Sequence, residues 1–151
     1  MKELWMVDLE GTLTQNGWRQ HLITGPDKDW RQYYKGLLAD DPHPQIKDLV
    51  CLLPLMSPPR QVIIYTTRMP NKYDMERKWL AGERIGYERL LMRENMNLKG
   101  PELLREWCLV LKPEYVIDDR EENRKAVEDI VPHVFSPEDI TNIEITEVED
   151  G

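Results

Sequence analysis

Three short apolar runs in the sequence, at residues 4–7, 62–65 and 115–117, each end in polar residues that could carry chemistry. Those polar residues are Asp8 and Glu10 after the first run, Thr66 and Arg68 after the second, and Asp118 and Asp119 after the third. Short apolar runs of this kind are typical of buried parallel strands. Ligands of open α/β sheets bind at the carboxyl ends of the strands, so we expect these side chains to meet in one crevice.

Four carboxylates in one crevice would repel each other unless a cation lay between them. Oxygen ligands with few nitrogen or sulfur candidates nearby favour Mg²⁺, and the neighbouring threonine and arginine suggest a phosphate ligand. Asp118 and Asp119 could instead be acids at a helix start, where they would complement the helix dipole. Their place directly after an apolar strand favours metal binding.

Helical patterns alternate with these strands, which predicts an α/β fold: a parallel sheet with helices on both faces. The predicted helices cover residues 27–38, 46–53, 72–84, 102–111 and 121–131, and two further short strands are predicted at 89–92 and 133–135. We expect one domain over residues 1–140, in which residues 14–60 supply helices and a small cap-like insertion. The acidic segment 141–151 is expected to be a flexible tail.

Composition narrows the class of protein. The 151 residues are 40% hydrophobic and 32% charged, which is ordinary for a globular domain. A net charge of −8 argues against broad adhesion to nucleic acid or to anionic membranes, although a local basic groove remains possible. Since no apolar run approaches the roughly 20 residues of a membrane-spanning helix, we expect a soluble, cytoplasmic protein. Cys51 and Cys108 lack metal-ligand spacing and are expected to be buried, reduced thiols.

Residues 8–14, with the sequence DLEGTLT, resemble the first motif of the haloacid dehalogenase (HAD) superfamily of phosphatases, in which aspartate usually stands where Glu10 does. Thr66 fits the second motif, and Asp118 with Asp119 fits the fourth. A finer pattern consists of Thr67-Arg68 after Thr66, RKWL at residues 77–80, MRE at residues 92–94 and IDDR at residues 117–120. With this pattern the chain, from residue 4 to about 139, is similar to the phosphatase domains of phage polynucleotide kinase/phosphatases. The resemblance implies a Rossmann-like three-layer sheet of HAD type with at most a small cap, and no kinase phosphate loop is present, so no kinase domain is expected in this chain.

The resemblance also implies a mechanism. Asp8 would attack the phosphorus and form an aspartyl-phosphate, while Glu10 would protonate the leaving oxygen and later activate the water. Thr66 would donate a hydrogen bond to a phosphoryl oxygen. The side chains of Asp8, Asp118 and Asp119 and the backbone carbonyl of Glu10 would hold Mg²⁺.

The lysine that the third motif requires has two candidates. Arg105 matches it by position but lacks the compact ammonium geometry, and Lys99 could take its place, so both remain open as catalytic residues. Arg19 and Arg68 are candidates for gripping the phosphate or the nucleotide beyond it. The remaining candidates for substrate binding are Thr12, Thr67 and Arg93.

Trp30, Tyr33 and Tyr34 share one face at helical spacing, which predicts core packing. The alternative is that this segment overhangs the crevice and stacks on a base. The roughly fifty residues between Glu10 and Gln61 are too few for a large cap domain, so we expect an open site that admits bulky substrates.

The function expected from these residues and the resemblance is Mg²⁺-dependent hydrolysis of a phosphomonoester, with a 3′-phosphate on a nucleic-acid end as substrate. A nucleotidase or small-molecule phosphatase is the alternative with the same chemistry. A catalytically degenerate domain that only binds a ligand or partner is the alternative of another class. Three departures from the family pattern motivate it: Glu10 replaces the usual aspartate, Arg105 replaces the motif lysine, and Pro101 replaces an acidic residue of the phage phosphatase motif.

Overall fold

The computed structural model describes residues 3–68, 74–94 and 96–141, and its regular elements follow the apolar patterning of the sequence. The strands are β1 (Leu4–Asp8), β2 (Thr14–Gln15), β3 (Asp41–Pro42), β4 (Gln61–Tyr65), β5 (Arg89–Leu91), β6 (Tyr115–Ile117) and β7 (His133–Phe135). The helices are α1 (Trp30–Lys35), α2 (Pro44–Leu52), α3 (Met75–Gly82), α4 (Gly100–Leu111), α5 (Glu121–Val127) and α6 (Pro137–Thr141). Short 3₁₀ helices cover Gly17–Leu22, Gly36–Ala39 and Leu53–Leu55.

The main sheet has five parallel strands in the order β5-β4-β1-β6-β7. β1 is central, and its last residue, Asp8, pairs with Tyr65 of β4, while Val7 pairs with Ile117 of β6. This register brings the carboxyl ends of the three central strands to the same edge of the sheet. β2 and β3 form a separate two-stranded antiparallel ribbon.

Apolar residues cover both faces of the sheet, which makes three layers. Trp5 and Val7 of β1 face a core that is completed by residues of α2, α3 and α6. Met6 faces the opposite core, which contains Leu104 and Cys108 of α4, the last residue of α5 and a valine of the segment after α5. Alternate residues of a strand point to opposite faces, so a continuous apolar run is what a strand covered on both sides requires.

The α/β prediction is confirmed, and all five predicted strands form, with ends that differ from the prediction by at most one residue. The helix predicted at 27–38 is shorter: Asp29 caps α1 by accepting a hydrogen bond from the Gln32 amide at 3.0 Å, and a 3₁₀ helix continues from Gly36. α5 ends at Val127, four residues before the predicted end. α6 and the ribbon of β2 and β3 were not predicted, because two-residue strands show no alternation and a five-residue helix has less than two turns in which to show its period.

Other predictions on the chain can be placed as well. Residues 14–60 contain the ribbon, α1, α2 and the three 3₁₀ helices. The start of the helix predicted at 72–84 and most of the predicted tail, residues 142–151, lie outside the described residues. Cys108 is buried, Cys51 is half-buried, and both are free thiols. Within the described ranges, no helix has the length and apolar character that crossing a membrane requires.

Candidate active site

The loop after β1 is tied to the loop after β6 through one threonine. The hydroxyl of Thr12 lies 3.2 Å from Oδ2 of Asp8 and 3.2 Å from Oδ1 of Asp119, so its proton can bond either carboxylate. The same hydroxyl accepts a hydrogen bond of 2.9 Å from the amide of Asp119. Thr12 is completely buried and therefore fixes the two carboxylates rather than facing a substrate.

Asp8, Asp118 and Asp119 form the carboxylate cluster of the site. One oxygen of each lies within 4.8 Å of the others. Burial, followed by the charges of Asp118 and Asp119, raises the pKa of Asp8 well above its ordinary value. The cluster as it stands therefore resists full ionisation, which is the electrostatic condition that a bound cation relieves.

Asp118 is held by donors on three sides. Its Oδ2 accepts hydrogen bonds from the hydroxyl of Tyr65 at 2.6 Å and from Nδ2 of Asn123 at 3.0 Å, and its Oδ1 accepts from the amide of Arg120 at 2.9 Å. Burial raises the pKa of Asp118 to about 6, and the three hydrogen bonds oppose that rise. These three donors fix the orientation of the Asp118 carboxylate and offset the free-energy cost of burying its charge.

Glu10 reaches the end of the neighbouring strand β4. Its Oε2 accepts a 2.7 Å hydrogen bond from the hydroxyl of Thr66, which in turn accepts one of 3.2 Å from the amide of Arg68. Burial raises the pKa of Glu10, while the Thr66 hydrogen bond and the charges of Arg68 and Arg19 lower it. Within the described part of the chain, the buried Oε1 of Glu10 has no hydrogen-bond partner. A carboxyl with one oxygen anchored and the other unused is well suited to exchange a proton with a substrate.

Gly11 allows the loop after β1 to pass close to the carboxylate of Asp119. Its φ of +82° is in the left-handed region, and a Cβ at this position would lie 2.9 Å from Cγ of Asp119. Glycine is therefore required both by the backbone conformation and by the close approach of the Asp119 carboxylate.

The residues present fit a magnesium ion. The cluster supplies only carboxylate oxygens, which are the ligands that this cation prefers, and two of its three members are buried. Burial, and then its acidic neighbours, raise the pKa of Asp8, so a divalent charge would be strongly favoured there. Asp8, Asp118 and Asp119 would hold the ion by their side chains.

Arg19 was predicted to grip a phosphate, and the structure places it elsewhere. Its Nε and Nη2 donate to the two carboxylate oxygens of Asp40 at 2.9 and 2.7 Å, and its Nη1 donates to the carbonyl of Tyr33 at 2.6 Å. The side chain is 1% exposed. Arg19 is thus a buried structural residue whose charge reaches Glu10, and it does not present its guanidinium to the crevice.

Arg105 also lies away from the carboxylate cluster. It donates to Asp129 at 2.6 Å and to the carbonyl of Ala126 at 2.8 Å, at the end of α5 that is remote from the Asp118 loop. Lys99 lies nearer to the site, because it directly precedes Gly100, which packs against the loop after β4. A Cβ on Gly100 would lie 3.1 Å from the hydroxyl of Thr67 in that loop. Of the two candidates for the motif lysine, the structure therefore favours Lys99.

Arg93 and Thr67, two of the predicted substrate-binding residues, are joined by a hydrogen bond. Nε of Arg93 donates to the carbonyl of Thr67 at 2.8 Å, and its Nη1 donates to the carbonyl of Leu98 at 2.5 Å. Arg93 therefore fixes the loop after β4 to the segment that enters α4. Arg68 differs, because its guanidinium extends toward the rings of Trp30 and Tyr33.

Sequence reasoning missed four residues of the site. They are Tyr65, Asn123, Gly11 and the buried Glu76 of α3, whose charge interacts with that of Glu10. Tyr65 had a signal, since it places a hydroxyl at the end of an otherwise aliphatic strand. Glu76 had none, because an acid within an amphipathic helix normally faces water.

No protein-family model and no curated protein matches the chain. Solved structures do match. The chain is 21% identical, with a TM-score of 0.66, to a chain of the Pnkp1/Rnl/Hen1 RNA repair complex, over 90% of this chain and 43% of that one. A second structure of the Pnkp1/Rnl/Hen1 complex matches with 18% identity and a TM-score of 0.64, over 90% of this chain and 47% of that one.

The HAD domain of the effector protein Lem4 from Legionella pneumophila matches over 99% of this chain and 92% of its own, with 17% identity and a TM-score of 0.55. This chain spans less than half the length of the two RNA repair chains that it matches. At these identities the likeness is one of fold. The chain has a HAD-like fold.

Proposed function

We propose that the protein is a Mg²⁺-dependent phosphomonoester hydrolase that acts through Asp8. The observation that carries the proposal is the placement of Glu10, bonded to Thr66, beside the carboxylate cluster of Asp8, Asp118 and Asp119. A nucleophilic carboxylate, a cation site and a separate acid are the parts that the reaction needs. All of them lie at one edge of one sheet.

Asp8 is the nucleophile of the proposed reaction. Its carboxylate attacks the phosphorus and forms a new P–O bond as the bond from phosphorus to the leaving oxygen breaks, which yields an aspartyl-phosphate. Thr12 holds the Asp8 side chain in place for this attack. When bound, Mg²⁺ would neutralise the charge of the carboxylates and of the phosphoryl oxygens.

Glu10 carries the proton in both halves of the reaction. Burial raises its pKa, which favours the protonated form that donates a proton to the leaving oxygen. The resulting carboxylate then accepts a proton from the water that attacks the aspartyl-phosphate, so that inorganic phosphate and free Asp8 are released. The hydrogen bond from Thr66 to Oε2 leaves Oε1 for this exchange.

A 3′-phosphate on a nucleic-acid end is the proposed substrate. The fold likeness to a chain of an RNA repair complex supports an end-processing role. Arg68, which follows Thr66 at the end of β4, supplies a guanidinium near the site for a phosphate or nucleotide. Lys99, at the start of α4, is the proposed cation of the third motif. The acidic net charge of −8 favours the second candidate, a small phosphate ester such as a mononucleotide.

The test is phosphate release with Mg²⁺ from a matched panel of esters. The panel contains a 3′-phosphorylated oligonucleotide, its 5′-phosphorylated counterpart, 3′- and 5′-mononucleotides and an aryl phosphate. We expect release from the 3′-phosphorylated end and none with Asp8→Asn, while Asp48→Asn, the same change at an exposed position of α2, retains activity. Faster release from mononucleotides would favour the nucleotidase.

A second variant tests the acid. Glu10→Gln should lower turnover of the oligonucleotide by about 10²- to 10⁴-fold, the usual contribution of general acid–base catalysis. Formation of the intermediate from an aryl phosphate with a good leaving group should suffer less, because that group departs without a proton. If wild type releases phosphate from no ester yet binds Mg²⁺ and nucleotide, the degenerate binding domain replaces the enzyme.

A further inference from the structure

Three aromatic residues and Arg68 form a surface that the bond-breaking steps of the proposed reaction do not explain. Trp30, Tyr33 and Tyr34 lie on α1, and Arg68 follows β4; together they are called the aromatic wall. The Trp30 ring lies 5.8 Å from that of Tyr34 in a stacked arrangement and 5.7 Å from that of Tyr33 in an edge arrangement. The guanidinium carbon of Arg68 lies 5.7 Å from the Trp30 ring centre and 5.4 Å from that of Tyr33.

Arg68 joins the aromatic wall to the reactive groups. Its amide donates to the hydroxyl of Thr66, and that hydroxyl donates to Glu10. Its side chain is close enough to Glu10 for its charge to lower the pKa of that carboxyl. The aromatic wall therefore begins at a residue that is connected to Glu10, the proposed proton donor, through the hydroxyl of Thr66.

The members of the aromatic wall differ in solvent exposure. The buried member stabilises the wall, and the exposed member is available to contact a ligand. Tyr33 is completely buried, its hydroxyl accepts a 3.0 Å hydrogen bond from Asn16, and Arg19 lies 4.2 Å from its ring centre. Trp30 is 38% exposed. The buried tyrosine thus holds the wall in place, while the indole of Trp30, which the Arg68 guanidinium approaches, is open to solvent.

This arrangement suits a flat, aromatic, uncharged group attached to an anion. Nucleobases stack on indole rings and on guanidinium planes, and they do so with any base because each has a π-face. A chain with a net charge of −8 gains little from general attraction to a phosphate backbone, so local contacts must supply the affinity for a nucleic-acid end.

We propose that the aromatic wall binds the nucleobase adjacent to the phosphate being removed, with Trp30 as the stacking surface and Arg68 as its cationic partner. The proposal rests on the proposed function for the identity of the ligand. It adds that the enzyme distinguishes nucleotide substrates from other phosphate esters through α1. Because the contact is stacking, the four bases should be accepted with similar affinity.

The test measures equilibrium binding of a fluorescent oligonucleotide with a 3′-phosphate and of a matched probe whose terminal nucleotide is abasic. Trp30→Ala should weaken binding of the base-bearing probe by roughly 5- to 150-fold, the range that loss of one stacked base gives. Binding of the abasic probe should change little. Trp30→Phe should retain most of the affinity because it keeps an aromatic face.

Trp18→Ala is the matched control, since Trp18 is a second exposed tryptophan of residues 14–60 whose indole donates to Asp40 at 2.7 Å, on the side of Arg19. Binding by Trp18→Ala should equal that of wild type. Equal binding of both probes by wild type, or unchanged binding by Trp30→Ala, overturns the proposal.

The binding and turnover measurements distinguish failure of the base-binding proposal from failure of the proposed function. If no phosphate ester is hydrolysed but the affinity for the base-bearing probe still depends on Trp30, the proposed function is lost and the base-binding surface stands. If the 3′-phosphate is released equally from both probes by wild type and by Trp30→Ala, the enzyme stands and the base-binding surface is lost. A 3′-mononucleotide run beside the oligonucleotide shows whether the base of a single nucleotide suffices.

Discussion

The hydroxyl of Tyr65, the last residue of β4, donates a 2.6 Å hydrogen bond to Oδ2 of Asp118, the residue that follows β6. The bond thus joins the carboxyl ends of the two strands that flank β1 in the sheet. Both groups are buried. Burial and the neighbouring charge of Asp118 raise the pKa of Tyr65 well above its ordinary value, so the phenol stays protonated and remains a donor. One oxygen of Asp118 is thereby fixed before any cation arrives.

Tyr65→Phe should shift magnesium binding to higher pH. The Tyr65 hydrogen bond lowers the pKa of Asp118, which is about 6 with the bond in place, so its loss raises that pKa further. A cation requires the ionised carboxylate. The measurement is the rise in Tm caused by Mg²⁺ between pH 5 and pH 8. Identical pH profiles for wild type and Tyr65→Phe would show that this bond does not tune the site.

Gly11→Ala should weaken magnesium binding as well as stability. Its left-handed φ of +82° costs an alanine about 1–2 kcal/mol, and the added methyl also displaces the Asp119 carboxylate. Gly25→Ala is the matched control, because Gly25 has a φ of +89° with no atom within 4 Å of its added methyl. Both variants should unfold more easily in urea, and only Gly11→Ala should reduce the Mg²⁺-induced rise in Tm. Equal rises in the two variants would contradict the close contact with Asp119.

Arg19→Ala should destabilise the fold rather than raise KM. The substitution leaves Asp40 buried without its bidentate partner, and breaking a buried ion pair in this way costs about 3–5 kcal/mol. Asp40→Ala should cost a similar amount, and the double variant should cost much less than the sum of the two single changes. Urea denaturation of all four proteins completes this cycle. Unchanged stability with a raised KM would return Arg19 to the role of a phosphate ligand.

The sheet and the carboxylate cluster could be predicted from the sequence because both depend on local pattern. A parallel strand covered on both faces needs an uninterrupted apolar run, and the residue that ends the run lies at the edge where ligands bind. Asp8 and Asp118 were therefore identified from their position alone. The hydrogen-bond partners of the two arginines could not be predicted in this way, because they are distant in sequence. Asp40 is 21 residues from Arg19, and Asp129 is 24 residues from Arg105.

The aromatic segment shows a second limit of sequence reasoning. Helical spacing predicted a common packed face for Trp30, Tyr33 and Tyr34, yet only Tyr33 is fully buried. α1 has six residues and lies outside the main sheet, so it has too few neighbours to cover all three rings. Spacing fixes which residues share a face, whereas burial depends on what packs against that face.

Glu76 lies on α3 within electrostatic range of Glu10, and its side chain is buried. Burial, followed by the charges of Glu10 and Asp74, raises the pKa of Glu76 from 4.5 to about 7. The folded protein therefore holds this proton more tightly than the unfolded chain does. The resulting stabilisation is fully present below pH 4.5 and is lost as the pH rises through 7.

Glu76→Gln should therefore be more stable than wild type at pH 8 and should depend less on pH between 4.5 and 7. A shift of this size corresponds to about 3 kcal/mol across that interval, since each pKa unit is worth about 1.4 kcal/mol. Urea denaturation at pH 5, 6, 7 and 8 measures it, and comparison with wild type cancels the other acids of the site. Glu106→Gln, at an exposed position of α4, controls for the loss of a charge. A difference in unfolding free energy between wild type and Glu76→Gln that is the same at every pH would mean that folding does not raise the pKa of Glu76. Its carboxylate would then be in contact with solvent or with a cation.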